Sequence, residues 1–361
     1  MMRIRNLESG IRNLMPAVKT LCVMALCLCA VGLTSCDHKE LCYHHPHIVK
    51  LYLEFDWRDA PEANPAGMSV YFYPMEGTDA PVRRIDFTGT GGGEIDIQIG
   101  HYRVITYNND TEVSQFNYTD AFDSHQVFTR AGDLFEAIPG VAAGANAPRP
   151  KDTENERVVV TPDEVYGCYA IDVEITETGV SYKCFPFEEK DDWVGKDPIV
   201  TENVITLYPH DYLCVYTYEI RNVSGLDGVT QMCATLSGMS PILLLGDETL
   251  HKECVTLPFG AEVHEDGSTI VGSFLTFGHH EENSQPHRMG LYVWMKDGTR
   301  YFYGADGGKF DVTDQVHSAP DRRRVHLIID GLDLPQAFGE GDEDLDASFD
   351  DWQEVNVDID L

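Results

Sequence analysis

Apolar and polar residues alternate with a period of two along almost the whole chain, and no segment keeps the 3.6-residue period of an amphipathic helix. In a strand, successive side chains point to opposite faces, so this alternation lets one face be buried while the other meets water. The alternating runs are short and are separated by clusters rich in Gly, Pro and Asn, a spacing typical of β-sandwiches. The sequence therefore predicts an all-β fold. Representative runs are "HIVKLYLEFDW" (47–57), "NVITLYPHDYLCVYTYEI" (203–220) and "RMGLYVWMKDGTRYFYG" (288–304).

One internal segment interrupts this alternation. Residues 131–156 gather Ala, Gly and Pro, the composition of a long loop or an interdomain linker. A chain of 361 residues is long enough for about two domains. We therefore predict an N-terminal β-sandwich at 47–130 and a C-terminal β-sandwich at 157–335. Within the latter, Asp297-Gly298 between two alternating runs predicts a hairpin turn.

The first 35 residues have the pattern of a signal peptide. A basic start is followed by an uncharged stretch, Leu21 to Leu33, which is shorter than the roughly 20 residues that a membrane-spanning helix needs. The stretch ends in Leu33-Thr34-Ser35-Cys36, which resembles the lipobox of bacterial lipoproteins. We expect Cys36 to carry the lipid; the alternative is an ordinary secretory signal with Cys36 as a plain thiol. Translation could start at Met1 or at Met15.

A stretch rich in Cys and His follows the leader, "LTSCDHKELCYHHPH" at 33–47. Thiolates and imidazoles are ligands of transition metals, so Cys42, His44, His45 and His47 raise the possibility of a metal site. With Cys36 assigned to lipid, residues 36–46 are better explained as a tether. We therefore predict no metal site. The pair His279-His280 is interpreted as part of a solvated hairpin loop, because it lacks the i, i+4 spacing of a helical zinc motif.

The charge of the chain excludes one class of partner. Asp and Glu number 60 against 26 Lys and Arg, which gives a formal net charge of −34. So acidic a surface repels phosphates, whose neutralisation drives nucleic-acid binding. We therefore expect no nucleic-acid partner, and we interpret Arg322-Arg323-Arg324 as a polar turn.

The cysteines behind the anchor are even in number, which in an exported protein would allow disulfides. Their spacing is irregular, however, and a chain of this length does not need such bridges to fold. Buried free thiols behave as small apolar groups, and we prefer a mostly unpaired state. The six residues are Cys42, Cys168, Cys184, Cys214, Cys233 and Cys254.

Each catalytic pattern that we sought fails at a defined position. Ser237 has Thr235 where a nucleophile elbow needs Gly, and "GADGGKF" lacks the residues of a phosphate loop. The acidic run at 342–346 begins like a calcium loop, but Ala347 and Gln353 replace its essential Gly and Glu. We therefore predict no enzymatic activity, no catalytic residue and no cofactor.

Residues 336–361 form an acidic tail that ends in a predicted strand. Alternate positions near the C-terminus are apolar, with Asn and Asp between them, so this strand has one apolar face that should pair with a sheet edge. It could complete a sheet of its own chain or add to a neighbouring subunit. The candidate pairing residues are Trp352, Val355, Val357, Ile359 and Leu361.

Several segments together resemble a family of Bacteroidales lipoproteins of unknown function, similar in layout to fimbrillin-associated anchor and accessory lipoproteins. The resemblance implies two transthyretin-like β-sandwich domains behind a lipid anchor, with no catalytic residue. The segments are "KELCYHHPHIVKLYLEFDW", "IQIGHYRVITYNND", "TENVITLYPHDYLCVYTYEIRNVSGLDGVTQMCATLSGM" and "DDWQEVNVDIDL".

The leading functional hypothesis is a non-enzymatic, lipid-anchored outer-membrane or surface protein that serves as an anchor or accessory subunit of fimbria-like structures. Its partners would be the membrane, through the N-terminal lipid, and fimbrial subunits, on either face of the outer membrane. The alternative is a surface glycan-binding lipoprotein. That function would place aromatic residues such as Trp57, Trp193 or Trp294 on one exposed sandwich face. A hydrolase is the least favoured hypothesis.

Overall fold

The computed structural model describes residues 47–144, 146–335 and 352–355. Cys36, the tether and the last residues of the tail, Val357, Ile359 and Leu361, lie outside the described residues. In the described ranges nearly all regular structure is β, which confirms the predicted all-β fold. The one α-helix among these residues is α1 (Thr313–His317). Short 3-10 helices occupy Trp57–Asp59, Phe122–Ser124, Phe187–Gly195, Leu226–Gly228 and Gly308–Phe310.

The strands follow the alternating runs of the sequence. Those of the first part of the chain are β1 (Ile48–Phe55), β2 (Gly67–Pro74), β3 (Arg83–Thr88), β4 (Gly93–Gln98), β5 (Gly100–Asn108), β6 (Ser114–Asn117), β7 (Gln126–Thr129), β8 (Arg157–Val158), β9 (Tyr166–Ile175), β10 (Val180–Lys183), β11 (Ile199–Thr201), β12 (Val204–Leu207) and β13 (His210–Asp211). Those of the second part are β14 (Cys214–Ser224), β15 (Val229–Met239), β16 (Ile242–Leu244), β17 (Thr249–Leu250), β18 (Val255–Gly260), β19 (Glu262–Val263), β20 (Ile270–Thr276), β21 (Met289–Met295), β22 (Arg300–Tyr303), β23 (Arg324–Asp333) and β24 (Trp352–Val355).

The first sandwich packs a three-stranded sheet against a seven-stranded one. Their orders are β12-β1-β4 and β11-β10-β9-β5-β2-β3, with β13 also paired to β9. The core between them takes alternate residues of each strand, such as Leu51 and Leu53 of β1 and Val70 and Phe72 of β2. Burial of these side chains supplies the main favourable free energy of the fold.

The second sandwich packs the sheet β19-β20-β14-β23 against the sheet β24-β22-β21-β15-β18-β8. Its core again takes alternate residues, including Tyr216 and Tyr218 of β14 and Leu291 and Val293 of β21. The predicted hairpin at Asp297-Gly298 is present. It joins β21 to β22, and Gly298 adopts φ +88° at the turn.

A fifth sheet connects the two sandwiches. The sheet β17-β16-β7-β6 takes strands from both parts of the chain. An apolar cluster at this sheet contains Tyr71 and Ile105 of the first sandwich together with Val127 and Leu243. Strands β2 and β5 are therefore buried on both faces, which explains the long apolar runs in their sequences.

Strand pairing crosses the domain boundary that the sequence suggested. We placed residues 157–335 in one C-terminal sandwich, yet β9 pairs with β5, and β12 pairs with β1 in parallel. The first sandwich thus takes in residues up to about 211, and the described residues from Ile48 onward form one compact unit. Alternation shows where a strand forms, but the partner of that strand depends on distant residues.

The segment 131–156 is a loop packed onto the second sandwich. Leu134, Phe135 and Ile138 are buried against the outer face of β21 and β22. The Tyr292 hydroxyl donates a 2.7 Å hydrogen bond to the Pro148 carbonyl, which fixes the loop to the sheet. The predicted loop is therefore present, and its apolar residues give β21 its second buried face.

The cysteines of the described ranges are all free thiols. Four are buried within the two sandwiches and one is half-buried, so they pack as small apolar residues. No helix in the same ranges is long and apolar enough to cross a membrane. The free thiols are Cys168, Cys184, Cys214, Cys233 and Cys254.

Candidate functional site

The C-terminal strand β24 forms the edge of the six-stranded sheet. It pairs in parallel with β22, where Trp352 lies opposite Arg300 and Val355 lies opposite Tyr303. Four residue pairs make up this ladder. An edge strand leaves one row of backbone N–H and C=O groups without a partner in the sheet, and such a row can pair with another chain. The chain therefore adds its own short strand at the edge where further pairing can occur.

The two apolar residues of β24 point to opposite faces of the sheet. Val355 is half-buried against the core of the second sandwich. Trp352 is half-buried on the outer face, where its ring lies 5.0 Å from that of Trp294, 5.4 Å from that of Phe135 and 5.4 Å from that of Tyr292. Edge-to-face and tilted aromatic contacts at these distances are favourable. This aromatic cluster holds the C-terminal strand in place.

A small pocket opens beside the aromatic cluster. It has a volume of about 270 Å³, and it lies between the rings of Trp294 and Trp352 and the loop at 141–147, with Arg300 at its wall. Apolar and aromatic walls with a few polar groups are typical of small-ligand and side-chain pockets. The edge strand thus has a small pocket with aromatic walls next to it.

The three tryptophans proposed for glycan binding do not share a face. Trp193 is buried next to Tyr169 and Phe185. Trp57 is half-buried and donates a hydrogen bond to the Thr90 carbonyl, while Trp294 belongs to the aromatic cluster. In the described part of the chain these three residues therefore form no common exposed platform.

A second cluster brings three histidines together. The possible ligand atoms of His279, His287 and His317 all lie within 4.8 Å of one another. Burial lowers the pKa of His279 and of His287 to about 4, so both imidazoles are neutral at neutral pH. The interpretation of His279 as part of a solvated hairpin was wrong: its loop links two different sheets, and its ring is half-buried beside two others.

No sequence signal pointed to this cluster. His279 and His287 are eight positions apart and His317 follows thirty positions later, a spacing that matches no standard metal motif. The three residues meet because the loop, the start of β21 and helix α1 converge in the fold. His280, which the sequence pairs with His279, is not part of the cluster.

Part of the chain matches a known protein family. A family model described as a domain of unknown function (DUF5119) matches residues 35–260, more than half of the chain. The chain belongs to the DUF5119 family. The three histidines and strands β21 to β24 of this DUF5119 protein lie beyond the matched residues.

A curated relative extends the comparison. The protein named "Putative fimbrium anchoring subunit Fim4B" of Bacteroides ovatus is 23% identical over 258 residues, which cover 71% of this chain. The match spans 65% of that relative's length, slightly less than two thirds.

Solved structures show similarity in fold. The crystal structure of a "putative adhesin" from Bacteroides ovatus superimposes with a TM-score of 0.51 at 15% identity, covering 81% of this DUF5119 protein and 94% of that chain. The fimbrial anchor protein Mfa2 from Porphyromonas gingivalis aligns with a TM-score of 0.38 at 13% identity, covering 77% and 90% of the two chains. The first similarity shows a shared fold, and the second is too low to carry an argument.

Proposed function

We propose that this protein is a non-enzymatic, lipid-anchored surface subunit that anchors or assists the assembly of fimbria-like structures at the outer membrane. Its partners would be the membrane, through a lipid on Cys36, and fimbrial subunits. The name of the Fim4B relative, the adhesin-like fold and the signal-peptide pattern support this proposal. The comparisons bear on the fimbrial role, and the lipid on Cys36 is an inference from the sequence.

The observation that carries the proposal is the position of β24 at the edge of a sheet. A strand that pairs through only four residues, at the end of a long acidic segment, could be extended by a partner strand, or replaced with the loss of only that short ladder and its side-chain contacts. Main-chain hydrogen bonds would supply affinity, and alternate side chains would set the register of an incoming strand. We therefore assign subunit contact to the edge formed by β22 and β24.

A reversible crosslink can test how this edge is used. Tyr301 and Gln353 are register partners, and adjacent strands lie about 4.8 Å apart, within the Cα range of a disulfide. The double variant Tyr301→Cys/Gln353→Cys would lock β24 onto β22 when oxidised. Native thiols should compete little, because burial raises the pKa of Cys214 to about 11 and of Cys233 to about 12.

The readout is capture of the fimbrial subunits encoded in the same host, with each single variant as a control. If a partner strand replaces β24, the oxidised double variant should lose capture and a reductant should restore it. If a partner strand adds outside β24, capture should survive oxidation. Capture that survives both oxidation of the double variant and deletion of residues 350–361 would show that this edge is not the assembly site.

The lipid anchor has its own test. Cys36→Ala should move the protein out of the membrane fraction and release fimbriae into the medium. Each buried methylene contributes about 0.8 kcal/mol, so several acyl chains hold a protein far more firmly than a surface contact by so acidic a chain. A Cys42→Ala variant is the matched control and should stay membrane-bound. Normal retention of Cys36→Ala, with no loss of lipid label, would contradict the anchor.

Glycan binding is a second candidate, because the pocket beside Trp294 and Trp352 offers aromatic walls. Under that function, Trp352→Ala would abolish binding to host or dietary polysaccharides while leaving fimbriae attached. Under the fimbrial proposal, polysaccharide binding is absent from the unmodified protein.

A further inference from the structure

The three-histidine cluster is built from separate parts of the second sandwich. His279 lies in the loop between β20 and β21, His287 lies two residues before β21, and His317 is the last residue of α1. The ring centroids are 5.0 to 5.1 Å apart in all three pairs. The Nε2 atoms of His287 and His317 are 3.1 Å apart. The rings of His279 and His317 are stacked, and the ring of His287 lies at a steep angle to both, so that the three imidazoles are in mutual contact.

The backbone holds His287 in one orientation. Its N–H donates a 2.9 Å hydrogen bond to the Thr313 hydroxyl, and its C=O accepts one of 2.9 Å from the N–H of Val312. The ring approaches the bulge of β15 closely: a Cβ at Gly238, which has φ +78°, would lie 2.7 Å from Nδ1 of His287. The site therefore depends on a glycine at this bulge and on the start of α1.

The tautomer of His287 follows from the hydrogen-bond partner of its Nδ1 atom. Its Nδ1 lies 3.1 Å from the Ser237 carbonyl oxygen, which can only accept, so Nδ1 carries the hydrogen and donates it. The lone pair is then on Nε2, the atom that faces His317. Histidines that bind metal commonly donate their other ring N–H to a carbonyl in this way, which fixes both the tautomer and the ring orientation.

The distances suit a tetrahedral ion. Zinc binds imidazole nitrogen at about 2.0–2.1 Å, so two tetrahedral ligands lie about 3.3 Å apart, close to the 3.1 Å found between His287 and His317. The possible ligand atoms of the three residues lie within 4.8 Å of one another, so the widest separation needs an inward shift of at most about 1.5 Å to reach this value. The shift falls to the side chain of His279, whose ring is half-buried and lies at a long 3.5 Å from the Tyr216 hydroxyl.

A packed core histidine looks different. His125 is fully buried among Tyr71, Tyr73 and Tyr107, and none of these neighbours offers an imidazole or a carboxylate. The cluster instead gathers three imidazoles at the edge of the core, with His317 exposed to solvent. The strongly acidic chain also attracts cations to its surface.

We propose that His279, His287 and His317 bind one divalent transition-metal ion of the zinc class, with a fourth position open to water. Neutral imidazole is a ligand of choice for such ions. The bound ion joins both ends of the β20–β21 loop to α1, and so it stabilises this end of the second sandwich. It acts as a crosslink that only the folded chain can form.

The test is titration of the chelator-treated full-length protein, free of any polyhistidine tag, with zinc chloride. Calorimetry should give one equivalent of zinc, and thermal melting should shift upward by several degrees. Cobalt(II) should produce the visible absorption of a four-coordinate site. His317→Ala, at an exposed position, should keep the fold and weaken zinc binding more than about tenfold, and His279→Gln should do the same.

Two matched controls make the result decisive. His280→Ala changes a neighbouring histidine outside the cluster and should bind zinc like the unmodified protein. His45→Ala removes an imidazole from the N-terminal tether and should likewise leave the binding and the melting temperature unchanged. The proposal is overturned if the folded protein binds no stoichiometric zinc, or if binding is lost with His45→Ala and kept with His317→Ala.

Discussion

At the scale of single residues, the clearest stabilising group is the Asp163 carboxylate. It accepts backbone hydrogen bonds from Glu112, from Val113 at 2.9 Å and from Ser114 at 2.7 Å, at the start of β6. Burial alone would raise the pKa of Asp163, but the hydrogen bonds from Ser114, Val113 and Glu112 outweigh it and lower the pKa. The turn before β6 therefore depends on an ionised side chain nearly fifty residues away.

We expect Asp163→Asn to lower the free energy of unfolding by about 1–2 kcal/mol. An amide presents only one acceptor oxygen to three N–H donors, and the site is partly screened by water. Urea denaturation at pH 7 measures the difference. Glu164→Gln, at the exposed neighbouring position, is the control and should stay within about 0.5 kcal/mol of the unmodified protein.

The same interaction has a defined pH dependence. Because the folded-state pKa of Asp163 is lowered, its stabilisation is fully present above the unfolded value of about 4 and is lost as the pH falls through the folded value. The difference in the free energy of unfolding between the unmodified protein and Asp163→Asn should therefore become smaller in acid. A gap that stays constant from pH 7 to pH 3 would rule out the ionised carboxylate as its source.

At the scale of elements, the C-terminal strand is attached by one ladder and one aromatic cluster. Trp352 packs on Phe135, Tyr292 and Trp294, while Val355 packs on the opposite face. The loop 131–156 and β24 therefore depend on each other, although nearly two hundred residues separate them. A substitution that weakens the packing of one segment should therefore destabilise the other.

We expect Trp352→Ala to reduce stability by about 1–3 kcal/mol, because a half-buried ring loses its aromatic contacts. Gln353→Ala, an exposed position of the same strand, should have little effect. Amide hydrogen exchange should show faster exchange in both β22 and the loop at 133–138 for Trp352→Ala. Unchanged exchange in that loop would contradict the coupling.

Deletion of residues 350–361 distinguishes a strand that belongs to its own sheet from one that is donated. If the strand belongs to its own sheet, its removal uncovers the edge of that sheet, and the melting temperature should fall by a few degrees. A donated strand should leave the isolated protein's melting temperature unchanged and abolish assembly. A deletion without effect on either would remove the strand from consideration.

At the scale of the whole molecule, the two sandwiches are joined by a shared sheet. Strand β7 pairs with β16 from the second part of the chain, and the apolar cluster at this sheet contains Tyr71, Ile105 and Leu243. The seven-stranded sheet also needs β9 to pair with β5, and β10 to pair with β9. Neither half of the sequence contains a complete core.

We therefore expect the fragment 47–130 to remain unfolded when expressed alone, because β5 would lose its partner β9. The fragment 47–335 should fold and melt in one cooperative transition, apart from the loss of β24. Circular dichroism and calorimetry measure both. A folded 47–130 fragment would restore the domain boundary that the sequence suggested.

The sequence alone determined the features that depend on neighbouring residues. Period-two alternation specified the strands, Asp297-Gly298 specified a hairpin, and the composition at 131–156 specified a loop. Each of these follows from side-chain direction or backbone preference over a few residues. The family resemblance also came from such local segments.

Only the tertiary structure decided which strands pair and which side chains meet. The pairing of β9 with β5 and of β24 with β22 depends on the closure of long loops, for which local periodicity carries no signal. The convergence of His279, His287 and His317 has the same origin, because the β20–β21 loop and helix α1 pack against each other in the fold. The residue spacing in the sequence does not predict a site of this kind, since packing alone creates its geometry.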